Sequence, residues 1–96
     1  MKQLSKNEIE NKLKELYKDY KDEVIGFFIE INDEHTNQLF QTTTFERIND
    51  CLDWLNSYCI FLDAELETWL MYEVEGSDID RFADIKLTPS GYKLFD

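Results

Sequence analysis

The residues best suited to chemistry form a short stretch near the C-terminus, Asp84-Ile85-Lys86. An acid followed two positions later by lysine resembles an element of some metal-dependent nucleases, in which carboxylates hold magnesium and the lysine lies near the attacking water. Glu73 or Glu75, on the strand expected next to it, could supply another ligand. Such pairs are frequent by chance, and a nuclease needs cations to hold its substrate. We therefore rank this hypothesis below that of a solvated strand face.

Histidine and cysteine provide no stronger candidate. His35 is the only histidine and lies in a polar loop beside Asp33 and Glu34, without the partners that a metal or acid-base site requires. Cys51 and Cys59 are eight positions apart on a predicted helix, or about 12 Å along its axis, which is too far for a disulfide. We interpret both as reduced thiols of the core.

The last candidate is a calcium site, because Asp78 and Asp80 alternate as ligands of calcium loops do. The rest of the 12-residue calcium-loop pattern, with glycine at position 6 and glutamate at position 12, is missing. We therefore predict no catalytic residue, no cofactor and no metal ion, and hence no enzymatic activity.

The distribution of charge is more informative. The chain has a net charge of −11, and residues 1–23 contribute nothing to it because six acids there balance six lysines. Residues 48–80 hold nine carboxylates and no lysine, arginine or histidine. We therefore expect no direct binding to nucleic acid, since phosphate contacts require clustered cations, and the sign of the charge excludes an anionic membrane surface.

Apolar spacing predicts the elements that position these charges. Residues 5–23 form an amphipathic helix, with Ser5 and Glu8 as a capping box. A second helix begins near Thr43 or Thr44, with Thr43 and Glu46 as another possible capping box, and extends to about Leu62. Alternating, β-branched and aromatic stretches predict strands at 24–31, 38–43, 67–75, 80–87 and 92–96.

The last of these strands has an alternative. Pro89 and Gly91 favour a type I turn that leads into a strand, whereas Thr88 and Pro89 could also begin a terminal helix. With the strand, the order is α-β-β-α-β-β-β. This order predicts one α+β domain over residues 1–96, with two helices packed on an antiparallel sheet of four to five strands. Without an apolar signal segment or a membrane-length apolar run, we expect the protein to be cytoplasmic.

Large apolar residues among the acids suggest a protein interface, since aromatic anchors with a charged rim are typical of such surfaces. Our hypothesis is a small inhibitor that binds a basic, nucleic-acid-binding enzyme, with carboxylates standing where phosphates would lie. Phage-encoded inhibitors of host defence nucleases and immunity proteins of nuclease toxins are functional classes of this kind. The predicted partner-binding residues are Asp50, Asp53, Trp69, Met71, Glu73, Glu75, Asp78 and Asp80.

Two alternatives compete with this hypothesis. The chain could be a structural or scaffolding module, including a homodimer formed through Trp69 and Met71. The carboxylates could also serve only to keep the protein in solution.

Overall fold

A computed structural model describes residues 1–76 and 79–96. Within these residues the chain forms two α-helices and five strands, which confirms the predicted α+β fold. The elements are α1 (Lys6–Tyr20), β1 (Val24–Asp33), β2 (Gln38–Gln41), α2 (Ile48–Tyr58), β3 (Glu67–Val74), β4 (Ile79–Thr88) and β5 (Gly91–Phe95). Short 3-10 turns follow each helix, at Lys21–Glu23 and Cys59–Phe61.

The five strands form one antiparallel sheet in the order β2-β1-β3-β4-β5. The N-terminal segment runs along the outer side of β5, where the Leu4 N–H donates to the Leu94 carbonyl and the Asp96 N–H donates to the Lys2 carbonyl, both at 2.8 Å. The strand β2 forms the opposite edge of the sheet. In the described part of the chain, no helix is long and apolar enough to cross a membrane.

Local signals account for α1. The Ser5 hydroxyl accepts a hydrogen bond from the Glu8 N–H, and the Glu8 carboxylate accepts one from the Ser5 N–H, each at 3.2 Å. This confirms the predicted capping box, which satisfies two backbone donors at the start of the helix. The apolar stripe of α1 packs against the core through Leu16, which is buried, and through Ile9 and Leu13.

Both helices pack against one face of the sheet, which we call the helix face. Its core includes Phe27, Ile29, Leu70 and Ile85, with Leu55 of α2 above them. The other side of the sheet, which we call the open face, carries the residues that alternate with these. Cross-strand neighbours on the open face include Phe28 opposite Met71 and Trp69 opposite Asp84.

A β-bulge in β4 changes the simple alternation. Leu70 pairs with Ala83, but Met71 pairs with Arg81, so Phe82 is an extra residue. Consequently both Phe82 and Ala83 join the core, although alternation predicts only Ala83 there. The bulge leaves the Phe82 carbonyl outside the regular ladder, and the Lys12 ammonium group of α1 donates a hydrogen bond to it.

The predicted start of α2 was wrong. The helix begins at Ile48, its N-cap is Arg47 without a side-chain hydrogen bond, and the expected Thr43–Glu46 capping box does not form. The reason is that the preceding residues pair with β1. The N–H groups of Phe27 and Phe45 each donate to the other residue's carbonyl at 2.7 Å, which commits the backbone of Phe45 to an extended conformation.

Candidate protein-binding surface

The end of α2 exposes a cluster of large apolar side chains. The rings of Trp54, Tyr58 and Phe61 follow one another, with centroids 5.1 Å apart for the first pair and 6.4 Å for the second. Tyr58 is 48% exposed, Ile60 73% and Phe61 75%. We call these four residues the aromatic surface.

The geometry of α2 explains why these residues face outward. Ile48, Cys51 and Leu55 recur at helical spacing and are buried against the sheet. The chain then tightens into the 3-10 turn Cys59–Phe61, in which side chains three positions apart lie above one another. Cys59 is buried and Leu62 packs against the core, so the two residues between them project away from it.

Carboxylates flank the aromatic surface at both ends. Asp50 lies one helical turn before Trp54, on the same side of α2, and both Asp50 and Asp53 are exposed. After the 3-10 turn come Asp63 and Glu65, also exposed, and the Asp63 carboxylate accepts a hydrogen bond from the Glu65 N–H at 2.9 Å. The aromatic surface therefore has an acidic rim.

These carboxylates lack cationic partners within the described residues. The ion pairs found there are Lys2–Glu8 and Lys12–Asp96, both at 2.8 Å, and Arg81–Asp84 at 3.1 Å. Residues 46–67 hold six carboxylates and a single cation, Arg47. The negative potential of this region is thus not cancelled by an internal pair, and it extends into solvent.

Asp53 also faces the neighbouring strand. Burial raises the pKa of Tyr92 on β5, and the negative charge of Asp53 raises it further. Asp53 therefore lies on the side of α2 towards β5, while the rings of the aromatic surface continue past the end of the helix.

Three of the predicted partner-binding residues lie on the open face, across the sheet from α2. Trp69 is partly buried, and the guanidinium carbon of Arg81 lies 4.3 Å from its ring centroid. Met71 is only 9% exposed, and Glu73 is half-buried. These residues share no surface with Asp50 and Asp53, because the sheet separates them.

Of the remaining three residues, Glu75 follows the end of β3 and Asp80 lies within β4. Glu75 is exposed, and its N–H donates to the Glu23 carbonyl at 2.7 Å. Asp80 is exposed opposite Tyr72, with its carboxylate 3.5 Å from the Tyr72 hydroxyl. Burial first, and then the charge of Asp80, raise the pKa of Tyr72. Asp78 lies outside the described residues.

The predicted residues thus do not form one surface. Of the described ones, Asp50 lies one helical turn from Trp54, and Asp53 lies on the same helix on the side towards β5. The sequence pattern had indicated Trp54 and Tyr58 among the large apolar residues beside the acids, but it placed Phe61 within a helix extending to about Leu62. The signal that distinguishes them is the run Trp54–Leu62, nine residues without charge, which is longer than the helix can bury.

The cations of the sheet lie away from this surface. Lys86 and Lys93 are directly opposite each other on the open face, and Arg81 lies over Trp69 on the same face. Apart from Arg47, these are the cations that follow residue 23. After residue 23, the cations other than Arg47 therefore lie on β4 and β5, away from the acids around α2.

The residues considered for catalysis form internal contacts or are buried. Asp84 pairs with Arg81, and Lys86 lies 5.2 Å from the ring centroid of Phe95. Burial raises the pKa of Cys51 to about 12, so its thiol is protonated at neutral pH and is a poor nucleophile. Among residues 1–76 and 79–96, no group of three His, Cys, Asp or Glu side chains is placed to hold a metal ion.

His35 is an exposed residue of the turn between β1 and β2. Hydrogen bonds from Thr36, chiefly from its side chain, and then from the His35 N–H lower the pKa of Asp33. Asp33 therefore serves to close this turn.

No family model matches this chain, and no curated protein or solved structure is significantly similar to it.

Proposed function

We propose that this protein is a binding inhibitor whose aromatic surface docks onto a basic, nucleic-acid-binding enzyme. The observation that carries this proposal is the series of neighbouring rings Trp54, Tyr58 and Phe61, the last two of them exposed, flanked by carboxylates that form no ion pair within residues 1–76 and 79–96. Neither half of this arrangement benefits the isolated chain. Exposed rings gain little from folding, and uncompensated carboxylates repel one another.

The two halves have different roles in binding. Tyrosine and tryptophan side chains are enriched among the residues that dominate binding energies, and they bring large area at a low cost in conformational entropy. The carboxylates of the rim accelerate association with a basic partner and select against acidic ones. The carboxylates around α2, six against one cation over residues 46–67, favour α2 as the approached side.

The basic partner is best explained as an enzyme that binds nucleic acid. Its phosphate-binding groove is lined with cations, and carboxylates such as Asp50 and Asp53 would lie where phosphates lie in its substrate complex. Inhibition then requires no chemistry by this chain. Such proteins act in the cytoplasm as phage or mobile-element anti-defence inhibitors, or as immunity proteins against nuclease toxins.

The test uses tagged protein to capture partners from an extract of the native host at low salt and at high salt. We expect a basic nucleic-acid-binding protein to be retained at low salt and released at high salt. We also expect duplex DNA to displace it, because both ligands would use the same groove. An enzyme captured in this way should lose activity when the purified chain is added.

Matched variants test the surface itself. The double variant Asp50→Lys/Asp53→Lys reverses two exposed carboxylates of α2, and Glu15→Lys/Asp19→Lys makes the same change of charge at exposed positions of α1. The first should abolish capture and the second should retain it. Equal loss in both variants would indicate a response to net charge alone, and equal retention would refute the proposed surface.

The alternative homodimer through Trp69 and Met71 receives less support. Met71 is buried within a single chain and Trp69 is covered by Arg81, so neither offers a free anchor. If the carboxylates serve only solubility, no partner should be retained at either salt concentration.

A further inference from the structure

The two edges of the sheet differ in whether another segment of the chain pairs with them. Along β5 the N-terminal segment occupies the outer side, through the hydrogen bonds at Leu4 and Asp96. Along β2, no strand of residues 1–76 or 79–96 pairs with the outer side. An open edge of this kind is a template for pairing with another chain.

The pairing of β2 with β1 identifies the free backbone groups. The Thr42 N–H donates to the Ile29 carbonyl at 3.0 Å, and Phe40 lies opposite Ile31. Because hydrogen-bonded positions alternate in an antiparallel ladder, the N–H and carbonyl of Phe40 point towards β1. Those of Leu39 and Gln41 therefore point outward.

The side chains of this edge do little to protect it. All four residues of β2 are exposed, including Leu39 at 55% and Phe40 at 53%. Lysine, proline and inward-pointing charge, which commonly block an edge, are missing from Gln38–Gln41. The only protective feature is the shortness of the strand.

The charge around β2 indicates which chain could pair there. Residues 35–45 are the longest stretch of this sequence without Asp, Glu, Lys or Arg. Two copies that each carry a net charge of −11 repel each other elsewhere, and a neutral edge is where they approach at least cost. The carboxylates nearest to β2 belong to β1 and its turn, and the Glu30 carboxylate already accepts a hydrogen bond from the Gln41 side chain, so a basic partner is attracted more strongly to the six carboxylates of residues 46–67.

We propose that β2 pairs with β2 of a second copy of this chain, forming a twofold dimer with one continuous sheet. Backbone hydrogen bonds between the two β2 strands form only in a register that places residues with outward-pointing N–H and carbonyl groups opposite each other. Leu39 of one copy opposite Gln41 of the other meets this condition and places the two Phe40 side chains opposite each other. Both rings then lie on the side of Ile31, and pair across the twofold axis.

The short strand makes this a weak dimer, of the class that buries less than about 1,200 Å². Sedimentation equilibrium over a range of protein concentrations should show a monomer–dimer equilibrium that shifts towards the dimer as salt rises, because salt screens the repulsion between the copies. The binding of a basic partner weakens under the same change. The two interactions therefore respond to salt in opposite directions.

Phe40→Lys tests the contact, with Tyr17→Lys as its control at an apolar residue of α1 that is 41% exposed. Phe40→Lys should raise the dimer dissociation constant at least about tenfold, since it places two ammonium groups opposite each other. Tyr17→Lys should leave it within about twofold. Circular dichroism checks that both variants fold.

Cross-linking tests the register. Facing residues of a non-hydrogen-bonded pair have Cα atoms about 4.5 Å apart, within the range of about 4.4–6.8 Å that a disulfide spans. Phe40→Cys should therefore form a covalent dimer on mild oxidation, whereas Tyr17→Cys should not at the same concentration. Cys51 and Cys59 are buried and do not compete.

Three outcomes would overturn the proposal. The first is a chain that stays monomeric at all concentrations and salt levels. The second is a dimer that resists Phe40→Lys but is lost with Phe61→Ser, which would place the contact on the aromatic surface. The third is protection of the β2 amides from hydrogen exchange only after addition of a captured partner, which would assign the edge to a strand of that partner.

Discussion

Replacing Phe61 with serine separates an exposed docking residue from a residue of the core. Complete burial of a phenylalanine side chain is worth about 1.5–3 kcal/mol. Phe61 is 75% exposed, so only a quarter of that burial is present in the folded chain. We therefore expect Phe61→Ser to lower the free energy of unfolding by less than about 1 kcal/mol.

Phe82 provides the comparison, because it is 2% exposed and its ring packs edge-on against Phe27 at a centroid distance of 6.0 Å. Truncation of a buried phenylalanine to alanine costs about 3–5 kcal/mol. Phe82→Ala should therefore destabilise the protein by at least about 2 kcal/mol more than Phe61→Ser does.

Urea unfolding monitored by circular dichroism measures both free energies of unfolding. If the slope of the free energy against urea concentration is unchanged, the variants expose the same surface on unfolding and their values can be compared. The same Phe61→Ser protein should fold normally and fail to retain the partner in the capture experiment. A loss of more than about 2 kcal/mol with Phe61→Ser would show that this ring belongs to the core. The proposed docking surface would then have no basis.

Three further changes test the fold. A Cβ at residue 26 would collide with the Phe45 carbonyl oxygen, so Gly26→Ala should lower the free energy of unfolding by about 1–3 kcal/mol and lower the melting temperature. An unchanged melting temperature would contradict the close approach of residues 26 and 45. Lys12→Met removes the donor to the Phe82 carbonyl and should cost about 1–2 kcal/mol in urea unfolding, whereas wild-type stability would mean that water replaces the donor. Because burial raises the pKa of Cys51 to about 12, alkylation of its thiol near pH 9 should proceed only as fast as the chain unfolds, and rapid alkylation in the folded protein would refute this environment.

The parts of the fold that were predictable depend on interactions between neighbouring residues. The capping box of α1 joins positions three apart, and the run Phe27–Ile29 is apolar at every position, as a strand covered on both faces requires. The turn before β5 likewise follows from Pro89 and Gly91, and the strand replaced the alternative terminal helix. Each of these signals lies within a few residues of the structure it specifies.

The errors occur where distant residues compete with a local signal. Thr43 and Glu46 have the spacing of a capping box, but the backbone of Phe45 pairs with Phe27, eighteen positions earlier. The bulge at Phe82 has no local signature, since it is defined by how β4 pairs with β3. Local propensity predicted the elements but not the contacts that shift their boundaries.

The sequence by itself determined the amount of charge and the fold class. These properties are sums over residues or follow from short-range spacing. Only the tertiary structure decided which carboxylates lie together. The strand order and the packing of both helices on one face put Asp50 and Trp69 on opposite sides of the sheet, because alternate residues of a strand face opposite ways. The same packing could bury only part of the apolar run after Trp54, and the rings that it left exposed became the candidate site.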